Sequence, residues 1–239
     1  GVAQVARENG WQLNCPKSFT HNEGILNNWQ GDGCIALLQC TQTLDYFRTH
    51  KIPLVDLGLG DHNLPITRVV TDNEAIGRLA AEHFRNHGYK EVFALTADGI
   101  KMYEERLQAF ITNMEADGGN VTVFDSAGRT ESKVIKELHD LAQARGRKVE
   151  ELSIGFFAFQ DTAAAEMISI CLKNNLRVPE NIAVLGVDND DLVNKGLSVE
   201  LSSVDSDQQG LGLTAAKTLQ KLLDSNSTAS SGSIVRHPP

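Results

Sequence analysis

Two kinds of hydrophobic pattern alternate along the chain. Short apolar runs with no polar residue at every second position are typical of strands buried on both faces, which occur in parallel sheets. Longer segments with apolar residues three or four positions apart predict helices between these strands. The clearest run, Ile182–Val187, ends abruptly at the polar residues 188–191. The alternation recurs about every thirty residues, as in βαβ units. The pattern predicts an α/β fold of doubly wound parallel sheets.

The predicted elements can be placed in chain order. Strands are expected at residues 11–15, 34–38, 52–57, 68–71, 92–96, 121–124, 154–159, 182–187, 201–204 and 234–237, and the main helices at 23–30, 43–50, 73–87, 103–116, 131–145, 162–174 and 206–223. The chain opens with a helical pattern that Asn9-Gly10 closes, so we expect the first strand of the alternation, and the loop after it, to precede residue 1. These are too many strands for one sheet, which favours two α/β lobes.

Composition and charge narrow the class of protein. The chain has 239 residues, of which 41% are hydrophobic and 22% charged, an ordinary globular balance. Its net charge of -9 argues against direct binding to a nucleic acid backbone. The 4 cysteines show no C-x-x-C spacing and lie in or beside apolar segments, which predicts buried free thiols. No apolar stretch of membrane-spanning length and no signal peptide are visible, so we expect a cytoplasmic protein without a membrane partner.

The motifs of common catalytic sites do not occur in the sequence. It has no phosphate-binding G-x-x-x-x-G-K-[ST], no G-x-S-x-G nucleophile elbow and no H-E-x-x-H. Gly210-x-Gly212-x-x-Ala215 has the letters of a dinucleotide fingerprint, but it falls inside a predicted helix, where small residues favour close packing. His83 and His87 have a spacing that zinc can use, but a third ligand is not evident. We therefore predict no enzyme activity, no cofactor and no metal.

Three polar residues stand where a parallel sheet binds ligands. Asp161 and Asp188 follow strands, and Arg106 lies early in the helix after another. Because ligands bind at the carboxyl ends of such strands, we expect the three side chains to form a site. An arginine and two carboxylates suit the hydroxyls of a sugar, and Phe159 offers an apolar face for its ring, although Phe159 is as readily explained as core. Asp188 has an alternative role as a helix N-cap.

Several motifs, taken together, resemble one known family. These are Gly31-Asp-Gly-Cys-Ile35, Val70-Thr-Asp-Asn-Glu-Ala-Ile-Gly77, Glu105-Arg106-Leu-Gln-Ala-Phe110, Phe157-Ala-Phe-Gln-Asp-Thr-Ala163, Gly186-Val-Asp-Asn189 and Leu201-Ser-Ser-Val204. They resemble the sugar-sensing domains of lactose-repressor-type regulators, which share a two-lobed fold with periplasmic sugar-binding proteins. Within that family they are most similar to the branch that activates xylose operons, where the sensor precedes an AraC-type DNA-binding domain.

The resemblance implies an architecture and a site. It implies two lobes with a ligand cleft between them, residues 1–72 with 204–224 forming the N-terminal lobe and residues 73–203 with 225–239 the C-terminal lobe. It implies that Arg106, Asp161 and Asp188 contact the ligand, and we place Phe159 and Thr71 in the same predicted site. It also implies a homodimer.

The expected function is that of a regulator's effector-binding domain. The effector is a small sugar, xylose before others, and DNA is reached only through an attached domain. A periplasmic sugar receptor of an ABC transporter is the alternative with the same fold, and a sugar-processing enzyme is a third reading. A sugar-processing enzyme requires a base or nucleophile beside the sugar, and these carboxylates suit plain binding equally well.

Overall fold

The structure is a computed structural model, which describes residues 1–15, 30–38, 41–60, 66–95, 99–124, 130–225 and 232–239. Its helices are α1 (Val2–Glu8), α2 (Thr41–Thr49), α3 (Asn73–Asn86), α4 (Lys101–Ala116), α5 (Glu131–Ala144), α6 (Asp161–Lys173), α7 (Asp191–Gly196) and α8 (Gln208–Asp224). Its strands are β1 (Cys34–Ala36), β2 (Leu54–Asp56), β3 (Thr67–Thr71), β4 (Glu91–Leu95), β5 (Asn120–Phe124), β6 (Ile154–Phe157), β7 (Ile182–Val187), β8 (Ser202–Val204) and β9 (Ile234–His237). The helix predicted at residues 23–30 lies, except for Gln30, outside the described residues.

The chain divides into two compact units. The first contains Gly1–Asp72 and Asp207–Pro238, and the second contains Asn73–Ser206. Each unit has its own all-parallel sheet with helices packed against it, as the alternating pattern predicts. No helix in the described ranges is long and apolar enough to cross a membrane.

The sheet of the first unit has the order β1-β2-β3-β9. The last strand, β9, lies in this sheet and not in that of the second unit. It pairs in parallel with β3, from Arg68 opposite Ile234 to Thr71 opposite His237. The assignment of residues 225–239 to the C-terminal lobe is therefore wrong for this strand. A short edge strand carries little information about its pairing partner, which lies far away along the chain.

The strand predicted at residues 11–15 does not form. The backbone N–H of Trp11 closes the end of α1 by donating to the carbonyl of Ala6, and residues 12–15 are exposed. The apolar residues at positions 11, 13 and 15 have the spacing of a strand. That spacing produces a strand only where a neighbouring backbone is available for pairing.

A buried ion pair lies at the carboxyl edge of this first sheet. Asp56, the last residue of β2, is 0% exposed, and its Oδ2 accepts a hydrogen bond from Nε of Arg68 at 3.3 Å. Its Oδ1 accepts from the backbone N–H of Leu38 at 3.1 Å and from that of Gly58 at 2.9 Å. Burial raises the pKa of Asp56, and these hydrogen bonds and Arg68 oppose the rise. This carboxylate holds the ends of β1 and β2 together.

His237 connects the points at which the chain leaves and re-enters the first unit. Its carbonyl accepts from the backbone N–H of Asp72 at 2.8 Å. Its ring Nε2 lies 2.8 Å from Oδ2 of Asp207. Asp72 and Asp207 are the residues that flank the second unit in the sequence, so a single residue of β9 contacts both ends of the break in the first unit.

The sheet of the second unit has the order β5-β4-β6-β7-β8, and helices pack against both faces of its inner strands. Successive residues of β4 enter different cores: Val92 and Ala94 pack with apolar residues of α3 and α4, while Phe93 and Leu95 pack with those of α5 and α6. This burial on both faces explains why the inner strands β4, β6 and β7 have mostly apolar sequences without polar alternation. Because the five strands are parallel, their carboxyl ends all lie at the same edge of the sheet.

The predicted burial of the cysteines holds for two of them. Cys34 and Cys171 are buried, and burial raises the pKa of each thiol to about 12, which keeps both unreactive. Cys15 is exposed, so its prediction is wrong. Cys40 lies outside the described residues.

Candidate functional site

The edge of the second unit's sheet brings together four of the five predicted site residues. Asp188 follows β7, Asp161 begins α6 directly after the loop from β6, and Phe159 lies in that loop. Arg106 reaches this region from α4. The fifth residue, Thr71, ends β3 in the first unit and is buried. Four of the five predicted residues can therefore be described within the second unit.

The turn after β7 shows which residue caps the following helix, α7. The sequence allowed Asp188 to be either this N-cap or a ligand contact. Asp190 is the residue that caps α7, since its side chain accepts from the backbone N–H of Leu192 at 2.8 Å and of Val193 at 3.4 Å. Asp188 is half-buried, and its Oδ1 accepts from Oγ of Ser206 at 2.9 Å. The capping alternative for Asp188 is wrong in this structure.

The backbone of this turn is strained. Asp188 has φ 105° and Asn189 has φ 50°, both in the region that L-residues other than glycine rarely adopt. Each such residue costs about 1 to 3 kcal/mol and persists only where surrounding contacts fix it. Strain of this kind is common at binding sites, where it gives a side chain an orientation that relaxed backbone would not.

Asp161 is buried beneath the turn. Its exposed fraction is 2%, its Oδ2 accepts from the backbone N–H of Asp190 at 2.7 Å, and its Oδ1 accepts from Oγ of Ser203 at 2.7 Å. A Cβ atom at Gly186 would lie 2.2 Å from Oδ1, so the carboxylate packs directly on the backbone of β7. Burial raises the pKa of Asp161, and the hydrogen bonds from Ser203 and Asp190 oppose the rise.

Arg106 is held by neutral partners. It is 1% exposed, and its Nε and Nη2 donate to Oδ1 of Asn73 at 3.2 and 3.0 Å, while Nη1 donates to the carbonyl of Phe159. Burial lowers the pKa of Arg106, and the nearby charge of Asp188 opposes this change. The guanidinium and the carboxylate thus lie within electrostatic reach of each other.

The position of Arg106 depends on close packing between α3 and α4. A Cβ atom at Gly77 would lie 2.4 Å from the carbonyl oxygen of Arg106 and 2.7 Å from the backbone N of Phe110. Backbone atoms cannot yield as a flexible side chain can. Glycine at position 77 therefore lets α4 approach α3 closely enough for Arg106 to reach Asn73.

Two residues of the site were not predicted, Tyr103 and Gln160. The ring of Tyr103 lies 4.6 Å from that of Phe159, and its hydroxyl donates to Oε1 of Gln160 at 3.0 Å. All three side chains are half-buried. Tyr103 precedes Arg106 by three positions, the spacing that puts two residues on one helix face, and this signal was available in the sequence. The pair of rings provides an apolar surface beside charged groups.

The described part of the chain offers no cluster of three or more metal-ligating side chains. The rings of His83 and His87 lie with centroids 4.4 Å apart and planes tilted by 35°, and Nδ1 of His87 lies 2.8 Å from the carbonyl of His83. The chemistry available at the site is that of charged hydrogen-bonding groups next to aromatic rings.

The family model for the periplasmic binding protein-like domain matches residues 81–238. The chain belongs to this family. The resemblance predicted from the motifs is thereby confirmed, and the two parallel α/β sheets confirm the predicted fold class.

Several proteins similar in sequence to this chain are transcriptional regulators. The xylose operon regulatory protein of Haemophilus influenzae is 25% identical over 236 residues, covering 96% of this chain and 59% of that protein. The transcriptional repressor PurR of Photobacterium profundum is 29% identical over 185 residues, covering 75% of this chain and 53% of that protein. The chain thus spans between half and three-fifths of these relatives.

A solved structure with the same fold was determined with a sugar. It is a periplasmic binding protein/LacI transcriptional regulator from Alkaliphilus metalliredigens, complexed with D-xylulofuranose. Its TM-score to this chain is 0.76 at 19% identity, covering 99% of this chain and 88% of that one. At this identity the likeness shows the fold alone.

Proposed function

We propose that this chain is the effector-binding domain of a cytoplasmic transcriptional regulator, that its effector is a small sugar, and that D-xylose is the first candidate. DNA binding belongs to an attached domain, and the sensor assembles as a homodimer. The sugar is bound and released without chemical change. The regulator relatives favour this reading over a periplasmic receptor.

The observation that carries the proposal is the pairing of charge and aromatic surface in the second unit. Asp188 follows β7 in a strained turn, within electrostatic reach of Arg106 and Tyr103. The ring of Tyr103 lies 5.5 Å from the guanidinium of Arg106 and 4.6 Å from the ring of Phe159. A carboxylate accepts hydrogen bonds from sugar hydroxyls, a guanidinium donates them, and an aromatic ring covers the C–H face of a sugar. We expect Asp188 to accept hydrogen bonds from the hydroxyls, with Gln160 as a further polar contact. Arg106 is 1% exposed in this structure and stays a predicted contact whose positive charge lies near Asp188. Thr71 stays a predicted contact from the first unit.

Calorimetric titration with D-xylose tests the proposal. We expect saturable heat from D-xylose, and a rise in melting temperature, since a ligand present at about 100 times its Kd stabilises the folded state by roughly 2.7 kcal/mol. D-ribose, L-arabinose and D-glucose are the comparison sugars. Recovery of unchanged sugar, checked by NMR, is expected after incubation. If none of the four sugars produced heat or a melting shift, the sugar proposal would be wrong.

A second prediction concerns DNA. The protein of residues 1–239 should not retard duplex DNA in a gel at physiological salt, because its net charge of -9 repels the phosphate backbone. A duplex carrying the upstream region of a xylose operon and a scrambled duplex serve as matched probes. Retention of the first probe but not the second would locate a DNA-binding surface within these 239 residues. It would contradict the proposal that DNA is bound only by an attached domain.

A further inference from the structure

The strained turn after β7 is anchored through its backbone. The N–H of Asp188 donates to the carbonyl of Val204 at 2.9 Å, which extends the pairing of β7 with β8. The N–H of Asn189 donates to Oγ of Ser203 at 2.9 Å, and that of Asp190 donates to Oδ2 of Asp161 at 2.7 Å. Three consecutive N–H groups therefore bind acceptors outside the turn.

Two of these three bonds lead to Asp161. The hydroxyl of Ser203 accepts from Asn189 and donates to Oδ1 of Asp161 at 2.7 Å, so it relays the first bond to the carboxylate. The second bond, from Asp190, reaches Oδ2 directly. Both carboxylate oxygens are thus engaged by donors of the protein.

The surroundings of Asp161 leave its carboxylate little surface for contact with a ligand. The residue is 2% exposed, and its carboxylate rests on Gly186, where even a methyl group would collide with it. Asp188 is half-buried and follows the end of its strand. Of the two carboxylates, Asp188 is the one with surface available to a ligand.

We propose that Asp161 is a positioning residue, which uses Ser203 as a relay to hold the turn at residues 188–190 in the conformation that presents Asp188, and that it does not itself contact the sugar. This inference rests on the proposed function, because it assigns the sugar-binding carboxylate to Asp188. It differs from the prediction from family resemblance, in which Asp161 and Asp188 both contact the ligand.

The first test needs no sugar. Amide hydrogen exchange, followed by NMR, reports the bonds made by Asn189 and Asp190. Asp161→Asn exchanges one acceptor oxygen for a donor. We expect the amide of Asp190 to exchange at least about tenfold faster, as the loss of a hydrogen bond to a charged group implies. The amide of Asn189 should also exchange faster, because its acceptor Ser203 is no longer held by the carboxylate. Amides of Phe93 and Ala94 in β4 should be unchanged. Asp140→Asn, an exposed change on α5, is the matched control.

The second test uses the relay. Ser203→Ala removes the hydroxyl, and we expect it to speed exchange at Asn189 and to weaken D-xylose binding by about fivefold or more. Ser203→Thr keeps a hydroxyl and should restore affinity to within about twofold of the original protein. Ser202→Ala, on the neighbouring exposed position of β8, is the control. A purely structural weakening would not be rescued selectively by threonine.

The third test separates positioning from contact. If Asp161 acts through Asp188, Asp161→Asn should cost little further affinity for D-xylose once Asp188→Asn is present, because residues that act as one unit are not additive. Additive losses would show that Asp161 contacts the sugar and would overturn the inference.

Unchanged amide exchange in both Asp161→Asn and Ser203→Ala would also overturn it. Faster exchange in a protein that binds no D-xylose or comparison sugar would instead remove the proposed function and leave the anchoring of the turn established. If Asp161→Asn does not fold, the Ser203 pair decides the question.

Discussion

Removal of the Asp188 carboxylate is expected to weaken D-xylose binding by at least about tenfold. A hydrogen bond to a charged group is worth about 1.5 to 3 kcal/mol, and 1.4 kcal/mol is a factor of ten in affinity. The backbone complicates the choice of variant, because φ at this position is 105°. Alanine would add strain, whereas Asp188→Gly removes the carboxylate and relieves strain, and Asp188→Asn keeps the shape.

We therefore expect Asp188→Gly and Asp188→Asn both to lose affinity by calorimetry, although the glycine variant should melt no lower than the alanine variant. Asp191→Ala is the matched control: it removes a neighbouring exposed carboxylate whose partner is Lys195, and it should leave affinity unchanged. A glycine variant that binds D-xylose as well as the original protein would show that Asp188 has no part in the site.

Replacement of Asp56 by alanine is expected to destabilise the first unit strongly. The change removes a fully buried carboxylate that faces Arg68 and accepts from the backbone at Leu38 and Gly58. Breaking a buried pair by removal of one partner costs about 3 to 5 kcal/mol. For a chain of this size, that corresponds to a fall in melting temperature of roughly 6 to 20 °C. Differential scanning calorimetry measures it.

Two variants make this experiment specific. Asp56→Asn should cost less than alanine, since burial raises the pKa of this carboxyl and a neutral isostere avoids the burial of charge. Asp45→Ala removes the exposed partner of Arg48 on α2, a pair of a kind worth about 0 to 1 kcal/mol. The expected fall in melting temperature for Asp56→Ala is roughly 6 °C or more. If Asp56→Ala melted within about two or three degrees of Asp45→Ala, the buried pair would not contribute substantially to the stability of the first sheet.

The fold could be predicted where physical signals are local. Ile182–Val187 forms a strand with the predicted bounds, because a run of six residues without polar alternation has few other stable environments. The position of Asp188 followed from the end of that strand. The failures concern pairing over long distances: residues 11–15 have the alternation of a strand without forming one, and β9 joined a sheet that its own sequence does not specify.

The grouping of the candidate site residues could be predicted in part for the same reason. Arg106, Asp161, Asp188 and Phe159 could be found because each lies near a strand end or early in a helix. The sequence could not distinguish Asp188 from Asp190 as the helix cap, since both are acidic and the distinction depends on two positive φ angles. Tyr103 and Gln160 were missed because their side chains meet only after α4 and the loop from β6 come together.

The hydrogen bonds of His237 have a consequence for how this chain can be rebuilt. Asp72 and Asp207 contact the same residue, so the two ends that the first unit offers to the intervening segment lie close together. A linker of about four residues reaches roughly 13 Å, enough to join ends of this kind. In the language of protein engineering, Asn73–Ser206 is a cassette inserted at one surface position of a host, and chain termini or a foreign domain could occupy the same position.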